Sequence, residues 1–372
     1  MRVALNAEPL FQRVATGTGV YTLALCQAYV ELGLSDQVVL FHAEHPLVPP
    51  DVLALPMERH DFGIPRDVLY KSWSETRRPK PQTVTGVVDV IHAPGPAVPP
   101  GGGASVVATV HDLAPLRFAE RYPREVRITL KRGVRMAARE AHRIICPSEF
   151  TADEVRELLG ADHDRLRVVP NGVALPPIDP YDAHQFVTSR GITEPYVLWV
   201  GTQEERKNVL GVLEAFARVH RERADVQLIL HGPQGWLGES VAQSIRKRGL
   251  AQSTLVSEGG LTRRELAWLY SRASAFVFPS IYEGFGLPVL EAMAAGAPVV
   301  TSNRAALPES AGDAAVLVDP TDSDAIGVAV LELLADDERR SDLIAKGRAR
   351  AAEFSWTATA TKTWAVYEEV AT

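Results

Sequence analysis

The stretch SAFVFPSIYEGFGLPVLEAMAAG, residues 274–296, runs from an apolar segment through a glycine turn into a second apolar segment. Its first part, SAFVFPS (274–280), is short and has β-branched and aromatic character, so it reads as a buried parallel strand that stops at Pro279. Gly284 and Gly286 let the backbone turn tightly and approach a ligand closely. Pro288 stands at a first helical position, and VLEAMAAG continues as a helix that ends at Gly296. The exposed N–H groups of such a turn form an anion site. Glu283 precedes the turn and Glu291 falls in the first helical turn, so both border one ligand without sharing a spot. That ligand would be long, with an anion in its middle, which is the shape of a nucleoside diphosphate sugar. As loop carboxylates, both are expected at the surface and tolerant of substitution. The competing reading is that both are simply solvated, as most charged residues are.

Outward from this unit the pattern repeats. PYVLWVGT (195–202), VQLILHG (226–232) and STLVSEG (253–259) read as strands, separated by helical segments at 208–222, 238–249 and 262–274. PVVTSN (298–303) and AAVLVDP (314–320) close that series. The first half alternates likewise, with strands at VALNA (3–7), QVVLFHA (37–43), VVDVIHA (87–93), ASVVATVHD (104–112), HRIICPS (142–148) and RLRVVPNGV (165–173). Short apolar strands separated by helices imply parallel doubly wound sheets. ALPPIDPYD (174–182), with three prolines, reads as a linker. The expectation is an α/β chain of two Rossmann-like domains, 1–178 and 179–356, facing across a cleft, with 357–372 packing back on the first. Ligands of such sheets lie beyond the carboxyl ends of the strands.

Composition limits the alternatives. The 372 residues, 46% hydrophobic and 23% charged, describe an ordinary protein able to bury large cores. A formal charge of −7 argues against a dedicated nucleic-acid partner. Two cysteines, Cys26 and Cys146, both in apolar surroundings, suit packing in a reducing cytoplasm better than a disulfide or zinc site. MRVALNAEPL reads as a first strand and not as a secretion signal, and no stretch is apolar enough to span a membrane.

The strand-end loops carry the remaining candidates. TGTG (16–19) opens a helix with Gly17 and Gly19, but Thr22 stands where a dinucleotide fingerprint needs its third glycine. His111–Asp112 follows one strand and Gly259–Gly260–Leu261 another. Arg206 and Lys207 begin a helix, where cations oppose the macrodipole and imply a compensating anion. Asp162–His163–Asp164 and Asp322–Ser323–Asp324 have metal-like spacing, yet capping explains them better. Thr151 and Glu154 match a capping box, stapled by Phe150 and Val155. Along a helix over 122–141, Arg124, Arg127, Lys131, Arg135 and His142 line one face, suited to anionic lipid or to plain solvation.

Taken together, VGTQEERKN (200–208), ELAWLYSRASAFVFPSIYEGFGLPVLEAMAAGAPVV (265–300), PES and AGDAAVLVDP (308–320), FSW (354–356), and more weakly TVHDLAP, ICPSEFT and VPNGV, resemble glycosyltransferase family 4. The resemblance implies a retaining nucleotide-sugar transferase of GT-B fold with no cofactor and no metal. It implies that Glu283 contacts the transferred sugar, the 284–287 backbone (Gly284, Phe285, Gly286, Leu287) holds sugar and phosphate, and Glu291 binds the ribose. Lys207 would neutralise the diphosphate, Gly260 and Leu261 meet the base through main chain, Gly19 approach the diphosphate and His111 touch the sugar. The family's second basic residue is Thr202 here, so Arg206 either compensates or a single cation serves. The style of the motifs is similar to mannosyltransferase members, implying GDP-mannose as donor. The acceptor would be a glycan, lipid-linked or small-molecule hydroxyl, met in the cytoplasm or at the inner face of the membrane. A nucleotide-sugar epimerase, a glycoside hydrolase with two carboxylates and a silent sugar-nucleotide binding module are the competing classes.

Overall fold

The computed structural model describes every residue except 13–16, 123, 236 and 372. The chain divides into two compact units, one formed by Met1–Gly172 with the segment from Ser355 onward, the other by Val173–Phe354. The sequence expectation had placed the divisions at 178/179 and 356/357. ALPPIDPYD begins just inside the second unit, where Asp179 caps the helix Pro180–Ser189 through the N–H groups of Tyr181 and Asp182.

The first unit holds strands β1 (Val3–Asn6), β2 (Val38–Glu44), β3 (Glu58–Pro65), β4 (Val90–Ala93), β5 (Ser105–Thr109), β6 (Arg143–Cys146) and β7 (Leu166–Val168). All pair in parallel in the order β3-β2-β1-β4-β5-β6-β7. In the second, β8 (Tyr196–Val200), β9 (Gln227–His231), β10 (Thr254–Ser257), β11 (Ala275–Phe278), β12 (Val299–Ser302) and β13 (Val316–Val318) pair in parallel as β10-β9-β8-β11-β12-β13. The strand order reverses beside β1 and beside β8, and such reversals open the crevices where doubly wound sheets bind ligands. Central strands such as YVLWV and AFVF are buried along their whole length because helices cover both faces.

Several local expectations are corrected. The sequence reading passed over β3, whose residues ERHDFGIP alternate between exposed and half-buried. An edge strand needs only one covered face and tolerates charge and a terminal proline. No capping box forms at Thr151 and Glu154, because Glu149–Leu159 starts earlier, at Ser148, whose Oγ accepts the Thr151 N–H at 3.1 Å. Glu154 is instead buried against Arg117 (2.6 Å), so the staple by Phe150 and Val155 falls with the box. A true capping box sits at Thr262 and Glu265. The basic helix spans Arg124–Glu140 and excludes His142, whose Nδ1 accepts the Val106 N–H at 3.0 Å.

The helix Trp356–Glu368 belongs to the first unit, with Trp356, Ala360, Trp364 and Tyr367 packed into the same core as Tyr21, Leu25 and Tyr29. Cys26 and Cys146 are free and buried, and burial pushes the Cys26 thiol up to about 12.

Candidate active site

The second unit assembles most of the candidates around the carboxyl ends of β8 and β11, beside the strand reversal. After β8 the chain makes a tight turn at Glu205–Lys207 and pivots at Asn208, whose φ is 55°. Asn208 holds that left-handed conformation while its Nδ2 donates to the carbonyls of Pro279 (3.1 Å) and Pro320 (2.6 Å). The Ile281 N–H donates to the Arg206 carbonyl at 2.8 Å, and Trp199 Nε1 donates to the Lys207 carbonyl at 3.3 Å. These bonds fix the two cations against the loop that carries Glu283.

Glu283 is not on the surface, contrary to the sequence expectation: it is 7% exposed. Lys207 Nζ lies 2.5 Å from its Oε1 and Arg206 Nη1 3.2 Å from its Oε2. Ser280 Oγ lies 2.7 Å from the same Oε1. Burial opposes the charge of Glu283, but Lys207 and Arg206 outweigh it and hold the carboxyl below its usual range. Burial likewise pulls Lys207 below the ordinary lysine value, against the pull of Glu283. Its ammonium also sits 5.0 Å from the centre of the Phe278 ring, a cation–π contact. Arg206 further donates to the Tyr282 carbonyl (2.9 Å) and pairs with Glu204 (2.7 Å). Thr202 brings no charge, so Arg206 is the second cation on this carboxylate.

Beyond Glu283, Gly286 caps the helix Leu287–Ala295 with φ of 102°, and a Cβ there would strike the Leu307 side chain. Leu287 is therefore the first helical residue and Pro288 the second, which carries Glu291 to the fifth position, one step past the first turn. The Phe285 side chain packs edge-on against Phe354 in the core, and its carbonyl accepts from Ser310 Oγ at 2.5 Å. The ring and carbonyl of Phe285 are thus both engaged within the unit, and the helix-start amide of Leu287 has no intrahelical acceptor. Glu291 receives the Tyr270 hydroxyl at 3.3 Å. Burial raises its carboxyl above the usual range, against the opposing charge of Arg263. Arg263 opens the helix that follows the Gly259–Gly260–Leu261 loop, so that loop and Glu291 share one neighbourhood. Gly259 and Gly260 are exposed with positive φ, and Leu261 is half-buried against the core.

In the first unit His111 lies two residues beyond β5, and its Nε2 donates to the Pro94 carbonyl at 2.8 Å, leaving Nδ1 as the acceptor. Burial lowers its pKa, which keeps it neutral near pH 7. The edge of the Tyr21 ring meets it at 4.8 Å. Gly19 is buried at the start of the helix Gly17–Glu31, where Thr22 Oγ1 donates back to the Thr18 carbonyl (2.8 Å). Thr16 of the TGTG motif lies outside the described residues.

Sequence reasoning missed Ser280, Asn208, Glu204, Tyr270 and Arg263. Serine directly after a strand and asparagine at a helix entrance are signals for the first two; the others become visible only in three dimensions. Among the described residues no group of three or more His, Cys, Asp or Glu side chains is placed to hold a metal. Asp162 and Asp322 cap their helices through the N–H groups of Asp164 (3.3 Å) and Ala325 (2.9 Å). Among the same residues no helix is long and apolar enough to cross a membrane.

The family described as Glycosyltransferase Family 4 matches residues 15–175, and the one described as Glycosyl transferases group 1 matches residues 182–350. The O-antigen chain mannosyltransferase B of Escherichia coli is 34% identical over 274 residues, which are 70% of either chain. The serotype-specific mannosyltransferase WbdA of Escherichia coli is 31% identical over 262 residues, 68% of this chain but 32% of WbdA. Among solved structures, Anabaena HepE, crystallised with UDP and glucose, superposes with a TM-score of 0.77 over 98% of both chains at 17% identity, which speaks for the fold alone. With both halves matched in family order and a relative of this identity aligned over most of its length, the chain belongs to the family 4 glycosyltransferases and is a glycosyltransferase of GT-B fold, akin to the mannosyltransferase members.

Proposed function

We propose that the chain transfers mannose from GDP-mannose to a hydroxyl of a glycan acceptor, with retention at the anomeric carbon. The observation that carries this reading is the buried Lys207–Glu283–Arg206 constellation beside the β8/β11 reversal, next to helix-start amides. Breaking the sugar–phosphate bond builds negative charge on the departing diphosphate and positive charge on the sugar. Preorganised amides and Lys207 stabilise the first, and Glu283 faces the second. Glu283 pairs with both cations, so a bound diphosphate competes with it for them. Glu291 accepts from the ribose, Gly260 and Leu261 meet the base through main chain, and Gly19 and His111 serve the diphosphate and the sugar. A leaving phosphate oxygen takes the acceptor proton, which needs no protein nucleophile. The mannosyl assignment is supported by the names of the relatives, and the choice of GDP over UDP follows from it.

The helix Arg124–Glu140 carries Arg124, Arg127, Lys131 and Arg135, with Val126 and Ile128 exposed among them. This composition supports a peripheral contact with anionic lipid, which vesicle flotation tests: equal recovery on neutral and anionic vesicles removes it.

The donor is tested by thermal shift with GDP, UDP, dTDP and ADP, followed by product analysis with GDP-mannose and mannosyl acceptors. A ligand bound to the native state at a hundred times its Kd stabilises by about 2.7 kcal/mol. GDP alone should do so, and NMR should show an α-linked product. Selective stabilisation by UDP overturns the donor assignment, and an epimerised nucleotide sugar without acceptor overturns transfer.

A further inference from the structure

We propose that Arg77 is a positioning residue for His111, acting through the loop PGPAVP (94–99) that follows β4; the use of His111 on the sugar rests on the function proposed above. Pro94, Pro96 and Pro99 stiffen this loop and leave it few N–H groups of its own. Four of its carbonyls are taken by side chains. Pro94 accepts from His111 Nε2 at 2.8 Å and Ala97 from Asn6 Nδ2 at 3.4 Å. Val98 accepts from Arg77 Nη1 at 2.8 Å and Pro99 from Arg77 Nη2 at 3.0 Å. His111 and Arg77 therefore hold opposite ends of one short, stiff segment.

The surroundings of Arg77 suit it to that task. It follows the helix Arg66–Glu75 with a left-handed φ of 54°, and its Nη1 also donates to the Trp73 carbonyl at 2.7 Å. Glu140, the last residue of the helix Arg124–Glu140, pairs with Nη2. A planar guanidinium meets all these acceptors at once, which a single ammonium cannot do. From the same helix Gly133 lies against the middle of the loop, where a Cβ would come 1.9 Å from the Pro96 carbonyl oxygen. One helix thus seats the loop at Pro96 and, through Glu140, orients the cation that holds Val98 and Pro99.

The consequence at His111 is a fixed tautomer. With the Nε2 proton committed to Pro94, the neutral ring must present Nδ1 as an acceptor, and a sugar hydroxyl can donate to it. The opposite tautomer would offer a second donor there. Moving the Pro94 carbonyl turns the ring or gives up the bond, and a misplacement of about 1 Å can cost on the order of 100-fold in rate. A merely structural duty for Arg77, closing a helix end on Glu140, is met by Trp73 and needs no bonds to Val98 and Pro99.

The test compares Arg77→Ala, Arg77→Lys and Gly133→Ala with wild type in the full chain. Arg165→Ala is the control, since that guanidinium holds the Ala141 carbonyl of the same unit (3.0 Å) instead of the loop. In nitrogen-labelled histidine NMR the wild-type His111 ring should show a protonated Nε2 and a bare Nδ1. Arg77→Ala and Gly133→Ala should mix in the other tautomer or speed exchange of the Nε2 proton by roughly tenfold, the weight of one hydrogen bond. Arg77→Lys should fall between, and Arg165→Ala should match the wild type. In turnover assays kcat should fall on the order of 10–100-fold in Arg77→Ala and Gly133→Ala, with donor KM and the thermal shift with GDP unchanged. Should Arg77→Ala not fold, Arg77→Lys and Gly133→Ala carry the same readouts. A protonated Nδ1 in the wild type, or ring signals in these variants equal to those of Arg165→Ala, overturns the proposal. So does wild-type kcat in them where His111→Phe loses activity. Wild-type kcat in His111→Phe would strike the sugar role of His111, and the ring spectra would still decide whether Arg77 holds it in place.

Discussion

Glu283 has two cations within 3.2 Å and lies almost wholly out of water, so its removal has two separable consequences. Glu283→Gln leaves Lys207 and Arg206 without their shared counter-charge. Breaking one side of a buried pair costs roughly 3–5 kcal/mol. The variant should therefore melt lower than wild type, which calorimetry checks. Its kcat should fall roughly 100-fold or more if the charge acts on the developing sugar cation. Because its folded-state pKa lies below the usual 4.5, this carboxylate stabilises the protein above that value. The contribution is lost as pH falls through the folded value, and Glu283→Gln should abolish that part of the acid dependence. Glu291→Gln should differ in kind under the ribose role proposed for it, since a contact of that sort exists equally in ground and transition states. It should raise donor KM on the order of tenfold with kcat nearly unchanged. Lys207→Ala should cost roughly 2–4 kcal/mol of transition-state stabilisation, read as a fall in kcat/KM. The strand–turn–helix unit that Glu283 and Glu291 flank was legible in sequence, because a glycine turn between a strand and a helix restricts what can flank it. The burial of Glu283 was not, since it depends on Asn208 and Ser280 tying two separate loops together.

At the scale of elements, a continuous polar seam joins the helix Trp356–Glu368 to the first unit's sheet. The Tyr29 hydroxyl donates to Tyr367 (3.0 Å), Tyr367 to His92 Nδ1 (2.6 Å), and His92 Nε2 to Thr109 Oγ1 (2.8 Å), which meets the Tyr21 hydroxyl at 3.3 Å. Tyr21 in turn edges the His111 ring. Such a chain requires a neutral His92, and burial lowers its pKa from 6.5 to about 3. Unfolded chain therefore binds a proton that folded chain refuses between those values, so this contribution favours the native state at high pH and weakens as pH drops below 6.5. Stability should fall by roughly 1 kcal/mol per pH unit across that window, and His92→Gln should flatten the slope measured by denaturant titration. Part of the slope should persist, because His111 is lowered by burial as well. Tyr367→Phe strands the Nδ1 acceptor and the Tyr29 donor, and should cost about 1–3 kcal/mol. The central strands and helices such as Val209–Glu222 and Arg263–Ser271 were readable from the apolar pattern, whereas the helix Arg66–Glu75 went unassigned and Pro180–Ser189 was hidden in a stretch whose prolines read as linker. β3 escaped as well, with its half-polar edge pattern, and so did the Ser148 cap, where the box spacing three residues later offered a competing start.

At the scale of the whole molecule, the chain order and the folding units disagree: the first unit is completed by residues that follow the second. Trp356, Trp364 and Tyr367 are buried among Tyr21, Leu25 and Tyr29, and a Cβ at Gly172 would collide with the backbone of Trp356. Each aromatic buries on the order of 150–250 Å², so three together supply at most roughly 11–19 kcal/mol. That is comparable with the whole stability of a typical domain, about 5–15 kcal/mol. The second unit is different, since Val173–Phe354 is contiguous and has its own sheet and core. What the proline-rich stretch near 174–182 could not give is the exact boundary, which falls at Gly172–Val173, because proline marks a break in regular structure and says nothing about which core the flanking segments join. Expressed alone, 173–354 should therefore unfold cooperatively and keep nucleotide binding, with Lys207, Glu283 and Glu291 all inside it. A fragment 1–172 should lack a cooperative transition and regain one when a peptide spanning 355–372 is added in trans. Chemical denaturation of the three samples, with GDP added to the second-unit fragment, distinguishes the outcomes. A cooperative 1–172 fragment, or a 173–354 fragment that melts without cooperativity, would show that the returning helix is not what completes the first unit or that the second depends on it.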